Sequence, residues 1–326
     1  MTARVRTVWC VSDGRSGIAR QTVAIASALS ELTEIKSRNI HVNPAGLQTW
    51  LLPQLWPMPM TALHQDQRDQ LKSPWPDIWI ANGRRSIPYS LQAKKWSGGK
   101  SFIVQLQNPR VDPAFFDLVV PPRHDGVVGS NVIETLGAPV WFTNAQIAAA
   151  TAQFPKAATL NRRTILVILG GPSKRHKFSL SRAHAIIGDL TRISASGIVL
   201  QITTSRRTPA VVVALFRSFA QSINASFFAN EVQDGPNPYL AWLAQADATM
   251  VTEDSTNMMT DAAFFGLPIH LIKLEGGDPR FDRLHQGFIT AGAARWFDGS
   301  LETWTYQPIR DALNVAKAII AKLAPL

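Results

Sequence analysis

The sequence predicts an α/β protein made of two halves in tandem, each a parallel sheet flanked by helices. Three observations carry this expectation. Short apolar runs alternate with segments of helical period along the chain, the pattern of strand–helix units around a parallel sheet. The 326 residues suffice for two domains of roughly 150 residues each. Each half opens with an apolar run that feeds a glycine-containing turn, at Asp13-Gly14-Arg15-Ser16-Gly17 and at Gly170-Gly171-Pro172-Ser173-Lys174.

In the first half, residues 7–11 read as a strand and 19–30 as a helix. Residues 78–81, 101–105 and 118–120 are apolar runs without alternation, as strands covered on both faces require. Residues 137–140 read as the last strand of this half, and 144–153 as a helix leading to a linker near 155–161. Residues 44–76 carry prolines and tryptophans without a clean period and read as an irregular insertion, a candidate flap. The cycle then restarts. Strands are expected at 164–169, 197–203, 226–229, 248–252 and 268–272, with helices at 181–194, 210–221, 238–246 and 255–265. Gly266 ends the last of these helices and Pro268 opens the strand after it. The tail at 307–323 has an amphipathic helical period. The expected domains are 1–155, with the C-terminal helix 306–326 packing back on it, and 160–305.

With 46% hydrophobic and 17% charged residues, the composition is that of a globular protein and not a disordered one. No run approaches the ~20 apolar residues that span a bilayer. The apolar run at 8–11 is too short for a signal-peptide core and reads as a strand. One cysteine, Cys10, excludes an internal disulfide framework and suits a reducing cytoplasm. The net charge of +10 favours anionic partners such as nucleotides, phosphorylated lipids or a membrane surface. The basic residues fall in short groups, with no basic arm, zinc-finger spacing or RNA-binding aromatic pattern, so nucleic acid is not an expected partner.

The turn after the first strand is neither a dinucleotide fingerprint nor a P-loop. It reads both as a ligand loop and as a tight turn with Asp13 or Ser16 capping a helix, and the two can coexist. In the second half, Lys174 or Arg175 lies where a diphosphate could be met. The sharpest constellation is Thr252-Glu253-Asp254-Ser255-Thr256-Asn257, followed by Asp261. A buried strand ends there and a helix begins, so helix amides and the Ser255 and Thr256 hydroxyls can hold phosphate oxygens. Asp261, six residues past Ser255, could accept hydrogen bonds from ribose hydroxyls. The plainer reading is a capped helix with a solvated Asp261.

The run from Asp261 to Pro268, Asp-Ala-Ala-x-x-Gly-Leu-Pro, resembles the donor-site pattern of GT-B glycosyltransferases, in which the acidic residue is usually Glu. More widely, the chain resembles bacterial members of the elongated-mitochondria (mitochondrial fission) family of glycosyltransferase-like proteins. The stretches that carry this are Ser12–Gly17, Asn82-Gly83-Arg84-Arg85, Gln107-Asn108-Pro109-Arg110, Pro121-Pro122-Arg123-His124-Asp125, Leu169–Pro172, Thr203–Pro209 and Thr252–Ser255. The resemblance implies two Rossmann-like domains facing a cleft, with a nucleotide-sugar donor bound by the C-terminal one and an acceptor by the N-terminal one.

On that reading, donor and phosphate contacts fall to Gly170, Gly171, Ser173, Lys174, Ser205, Arg206, Arg207, Glu253, Asp254, Ser255, Thr256, Asn257 and Asp261. The acceptor-side loops carry Gly14, Arg15, Gly17, Arg84, Arg85 and Arg110. Asp261 is one methylene shorter than the usual Glu, and Asn257 stands where a small hydroxyl is usual. Transfer would need no cofactor and no metal; the sequence agrees in having no Asp-x-Asp motif and no ligand spacing among its seven histidines. The general base is expected at Asp13, on the loop after the first strand, with the His124–Asp125 pair as the alternative. Arg206 and Arg207 suit bidentate contact with the leaving diphosphate.

Trp50, Leu51, Leu52, Trp56, Met58, Met60 and Trp75 in the insertion read either as core packing or as a surface for an anionic membrane. The expected setting is cytoplasmic, peripheral on the inner membrane, with a lipid- or lipopolysaccharide-type acceptor. Plant members of the family are associated with recruiting a dynamin-related GTPase, which makes a non-catalytic scaffold with a protein partner the second reading. An NAD-dependent epimerase or dehydrogenase does not fit, since the fingerprint and a Tyr-x-x-x-Lys pair are missing.

Overall fold

The computed structural model describes residues 5–156 and 162–323. It divides into two compact units, Met1–Phe142 with Arg310–Leu326, and Thr143–Ile309. The boundary thus falls ahead of the expected 155, and residues 157–161 of the expected linker lie outside the described residues.

The first unit contains β1 (Arg6–Ser12), α1 (Ser16–Ser30), β2 (Ile35–His41), α2 (Gln65–Gln70), β3 (Ile78–Asn82), α3 (Ile87–Trp96), β4 (Phe102–Leu106) and β5 (Leu118–Val120). Its sheet is parallel throughout, in the order β2-β1-β3-β4-β5. Successive residues of each strand serve opposite faces. Val8, Cys10, Ile78, Ile80, Val104 and Leu106 pack on one side with Ile25, Ala28 and Leu29 of α1. Trp9, Val11, Trp79, Ala81 and Ile103 pack on the other with Ile87 and Tyr89 of α3. The insertion contributes Trp56, Leu63 and Leu71 to this second face, with Trp75 and Met60 partly buried against it. It is built of three 3₁₀ turns and the short α2, in keeping with its lack of period. Residues 137–140 are not a strand. The Gly137 and Pro139 positions break the run, and the chain instead makes single bridges from Val132 to Val119 and from Thr135 to Pro122.

The second unit contains α4 (Asn144–Gln153), β6 (Thr164–Leu169), β7 (His176–Lys177), α5 (Leu180–Ala195), β8 (Val199–Thr204), α6 (Ala210–Ser222), β9 (Ser226–Phe228), α7 (Glu231–Asp234), α8 (Tyr239–Gln245), β10 (Ala248–Thr252), α9 (Thr256–Phe264), β11 (Ile269–Ile272), β12 (Glu275–Gly276), α10 (Pro279–Thr290) and β13 (Ala294–Trp296). Helix α4, expected to close the first half, belongs here and packs on α8. A Thr143–Gln146 capping box starts it. The main sheet is again parallel, β13-β11-β10-β6-β8-β9, while β7 and β12 form a small antiparallel pair. All six residues of β6 are buried, and α5 buries Ala183, Ile186, Leu190 and Ile193 at the three- and four-residue steps of one helical stripe. The chain then returns to the first unit as α11 (Asp311–Lys322), whose Ala312, Val315, Ala316 and Ile319 pack on α1.

Strand order reverses once in each sheet. In the first, β2 lies on one side of β1 and β3 on the other; in the second, β8 and β9 lie on one side of β6, and β10, β11 and β13 on the other. In open α/β sheets such reversals open a crevice outside the carboxyl ends of the two central strands. The loops after β1 and β6 are the two glycine-containing turns picked out from the sequence.

Candidate functional site

In the second unit, the loops after β6, β8 and β10 converge at the reversal between β6 and β10. A Cβ on Gly170 would lie 2.2 Å from both Asp254 Oδ1 and Ser255 Oγ, and one on Gly171 would lie 2.2 Å from the Arg207 carbonyl oxygen. No side chain fits at either position, so the two glycines let three loops close on one another. The Gly170 amide donates to Thr252 Oγ1 at 2.7 Å, and the Gly171 amide to Asp254 Oδ2 at 2.9 Å. The Thr252 hydroxyl in turn donates to Asp254 Oδ1 at 2.8 Å. Thr208 Oγ1 bonds the Gly170 carbonyl at 2.5 Å and receives the Ser205 amide at 3.0 Å.

The Asp254 carboxylate is fully enclosed, and Arg207 Nη2 reaches it at 2.7 Å while its own side chain stays 47% exposed. This pairing matters for an anion site. A lone carboxylate at the start of α9 would repel phosphate, whereas one neutralised by a guanidinium leaves the positive end of the helix in command. No side chain caps that end, and the first turn of α9 has no acidic residue. Ser255 Oγ is buried with no hydrogen-bond partner.

The expected donor residues thus divide into two groups. Gly170, Gly171, Ser205, Arg207, Asp254 and Ser255 meet at one corner, with Thr256 and the exposed Asn257 opening α9 beside it. Arg206 is exposed on the same loop as Arg207. Glu253 is turned inward: its Oε1 accepts the Leu274 amide at 2.6 Å, and His285 Nε2 meets its carbonyl oxygen at 2.8 Å. It therefore positions the loop from behind. Ser173 closes its own turn by accepting the Arg175 and His176 amides, Lys174 is exposed, and Arg175 pairs with Asp278 at 2.9 Å. Asp261 is not solvated; it is buried and accepts the Tyr239 hydroxyl at 3.1 Å.

The sequence reading missed Thr252 as a loop clasp, and also Thr208, His285 and Tyr239. Thr208 lies within the Thr203–Pro209 motif. Nothing in the sequence pairs Tyr239 with Asp261, because that contact joins α8 to α9 through the fold.

In the first unit, Asp13 follows β1 and Gly83 follows β3, again at the reversal. Gly83 has φ +92°, and a Cβ there would lie 3.1 Å from Asp13 Oδ2. Asp13 is tied to Arg15, which donates from Nη2 at 2.6 Å and from Nε at 3.0 Å. Gly14 donates to Ser12 Oγ at 3.4 Å, and that hydroxyl lies 3.3 Å from His41 Nδ1. Gly17 lies in the first turn of α1, and its carbonyl accepts Gln21 Nε2 at 3.1 Å. Arg84, Arg85 and Arg110 are exposed in the loops after β3 and β4, and Arg85 Nη1 donates to Asn43 Oδ1 at 2.5 Å. His124 is largely buried beside Asp125, with Nε2 and Oδ1 3.7 Å apart, an ion-pair distance and not a hydrogen bond. Among the described residues, no group of three or more His, Cys, Asp or Glu side chains is arranged to hold a metal ion.

The family described as Mitochondrial fission ELM1 matches residues 16–323. The Mitochondrial fission protein ELM1 of Arabidopsis thaliana is 27% identical over 277 residues, 76% of this chain, and the match spans 64% of the plant protein, just under two thirds of its length. An uncharacterized protein of Rickettsia prowazekii is 27% identical over 354 aligned positions, covering 96% of this chain and 97% of that protein. Among solved structures, the UDP-GlcNAc 2-epimerase of Methanocaldococcus jannaschii in complex with UDP-GlcNAc and UDP superposes with TM-score 0.51 at 13% identity, covering 97% of this chain and 99% of that one. The E. coli ADP-heptose lipopolysaccharide heptosyltransferase II superposes with TM-score 0.51 at 12% identity, covering 98% of each chain. At such identities the likeness is one of fold.

Proposed function

The chain belongs to the Mitochondrial fission ELM1 family, and from that premise we propose that it is a metal-independent glycosyltransferase. The donor is a nucleotide sugar, held by the second unit where β6, β8 and β10 end. The acceptor is lipid- or lipopolysaccharide-type, offered at a membrane face and received by the loops of the first unit. The observation that carries this reading is the closure of Gly170 and Gly171 on the uncapped start of α9 at a strand-order reversal. A diphosphate laid against the α9 amides would meet positive partial charge, with Asp254 already neutralised by Arg207. Arg206, exposed on the same loop as Arg207, would brace the leaving group. Asp261 and the Tyr239 hydroxyl would share the ribose. The fold likeness to a heptosyltransferase and to an epimerase holding UDP-GlcNAc supports the donor class.

Transfer also needs a base for the acceptor hydroxyl. Asp13 fills that role when a bound acceptor draws Arg15 away, and His124 beside Asp125 is the alternative. The engagement of Asp13 by Arg15 favours a second reading, a non-catalytic binding scaffold, in which that pair simply holds the loop. The two readings share nucleotide binding and part at sugar release.

The test is a melting-temperature panel of UDP-, GDP-, CMP- and ADP-linked sugars. One species at ~100 times its dissociation constant should stabilise the protein by ~2.7 kcal/mol, and Asp261→Ala should abolish the shift. If no nucleotide moves the wild-type melting point, the donor site is refuted. If a nucleotide sugar binds and its sugar is neither transferred nor hydrolysed, the scaffold reading stands.

A further inference from the structure

We propose that residues 47–58 of the first unit form a docking surface for an anionic phospholipid bilayer. Six large apolar side chains of this segment, Leu47, Trp50, Leu51, Leu52, Leu55 and Met58, are exposed, with Leu47 and Trp50 at 89% and 86%. They make up nearly half of the exposed large apolar side chains among the described residues, gathered into one short stretch. Exposure here is not fraying. The Ala45 amide bonds the Ala62 carbonyl at 2.8 Å, closing the base of the loop. Gln48 Nε2 reaches Thr61 Oγ1 at 3.1 Å across it. Trp56 turns inward against Tyr89 with ring centroids 6.4 Å apart, and the Tyr89 hydroxyl donates to the Pro59 carbonyl at 3.2 Å. The fold thus anchors the loop by its inner residues and holds the six others outward. Keeping that much apolar surface in water is costly unless something covers it.

Charge identifies what covers it. No Asp or Glu occurs between Glu34 and Asp66, a stretch that includes Lys36, Arg38, His41 and His64. The first unit, Met1–Phe142 with Arg310–Leu326, holds 18 Lys and Arg against 11 Asp and Glu, so it carries +7 of the net +10. A protein partner would be matched by apolar surface alone. A basic unit displaying tryptophan and leucines free of carboxylates matches the interface of an anionic bilayer, where Trp settles at headgroup depth and each nearby cation adds attraction. Insertion of a few side chains plus electrostatics supplies the two signals that stable membrane anchoring needs. For its purpose the docking rests on the reading that the acceptor is membrane-borne; the binding itself requires no nucleotide sugar.

The experiment is co-sedimentation of the full-length protein with phosphatidylcholine vesicles, with and without phosphatidylglycerol, in the absence of any nucleotide sugar. Binding is expected to the anionic vesicles, weakened by added salt. The Leu47→Ser, Trp50→Ser double variant should lower it at least about ten-fold while keeping the wild-type melting temperature, since both side chains are exposed. Equal sedimentation of wild type and double variant overturns the proposal. So does a wild-type dimer in light scattering that the double variant dissolves while vesicles bind neither protein, which would make a second copy the occupant. A melting-point shift with nucleotide sugars is read separately, so docking can fail while the donor site survives, and the reverse.

Discussion

At Asp254 and at His270 the fold encloses titratable groups and handles them in opposite ways. Asp254 keeps its charge company: a hydroxyl, a backbone amide and the Arg207 guanidinium meet its two oxygens. The sequence showed that Asp254 and Arg207 lie at the ends of two strands, but not that they pair, because the ion pair spans 47 positions. His270, in β11, is instead surrounded by the edges of Phe297 and Trp304, and burial pushes its pKa down from 6.5 to about 4. A nearby Arg163 acts in the same direction. Between those values the unfolded chain binds a proton that the folded chain refuses. Stability is therefore complete above about pH 6.5 and falls as pH drops toward 4, by at most about 3 kcal/mol from this group. Urea unfolding at a series of pH values reads this directly, and His270→Phe should flatten the acid limb. An unchanged slope in that variant would remove His270 from the account. The lowered pKa of His285, also caused first by burial, adds a smaller loss of the same sign.

At the scale of elements, legibility followed covering. Strands buried on both faces are continuous apolar runs, and β5, β6 and β10 have the expected bounds. The edge strand β2 exposes most of its residues, its sequence Ile-Lys-Ser-Arg-Asn-Ile-His has no apolar run, and only pairing with β1 makes it a strand. Helix α10 and strand β13 went unread for a like reason: α10 buries only Leu284, His285 and Phe288 of its 12 residues, and β13 is three residues long. Helix α11 was legible from its period, and its partner is α1. Four of its side chains are fully enclosed there, and Asp311 at its first turn accepts the Leu136 amide at 2.7 Å. Ile319→Ala should cost about 3 kcal/mol through lost burial and the cavity left behind. Chemical denaturation would show it, and a loss below about 1 kcal/mol would mean that α11 frays from α1 in solution.

At the scale of the whole molecule, the units differ in how the chain builds them. Residues 143–309 run continuously and contain their own core, from Ile165 to Leu274. The first unit closes only when α11 arrives from the far end of the chain. A fragment of residues 143–309 should therefore melt cooperatively alone and keep any nucleotide-induced shift, while residues 1–142 without α11 should not give a cooperative transition. Calorimetry of the two fragments decides it, and a molten 143–309 fragment would show that the second unit depends on the first. No described helix is long and apolar enough to cross a membrane. The sequence alone determined the α/β class, the two glycine turns and the apolar strands between them, because periodicity and local turn chemistry are properties of neighbouring residues. Tertiary structure alone decided where strand order reverses, which carboxylates are neutralised, which tryptophans pack and which face outward. Each of those depends on residues distant in sequence that meet only when the sheets have formed.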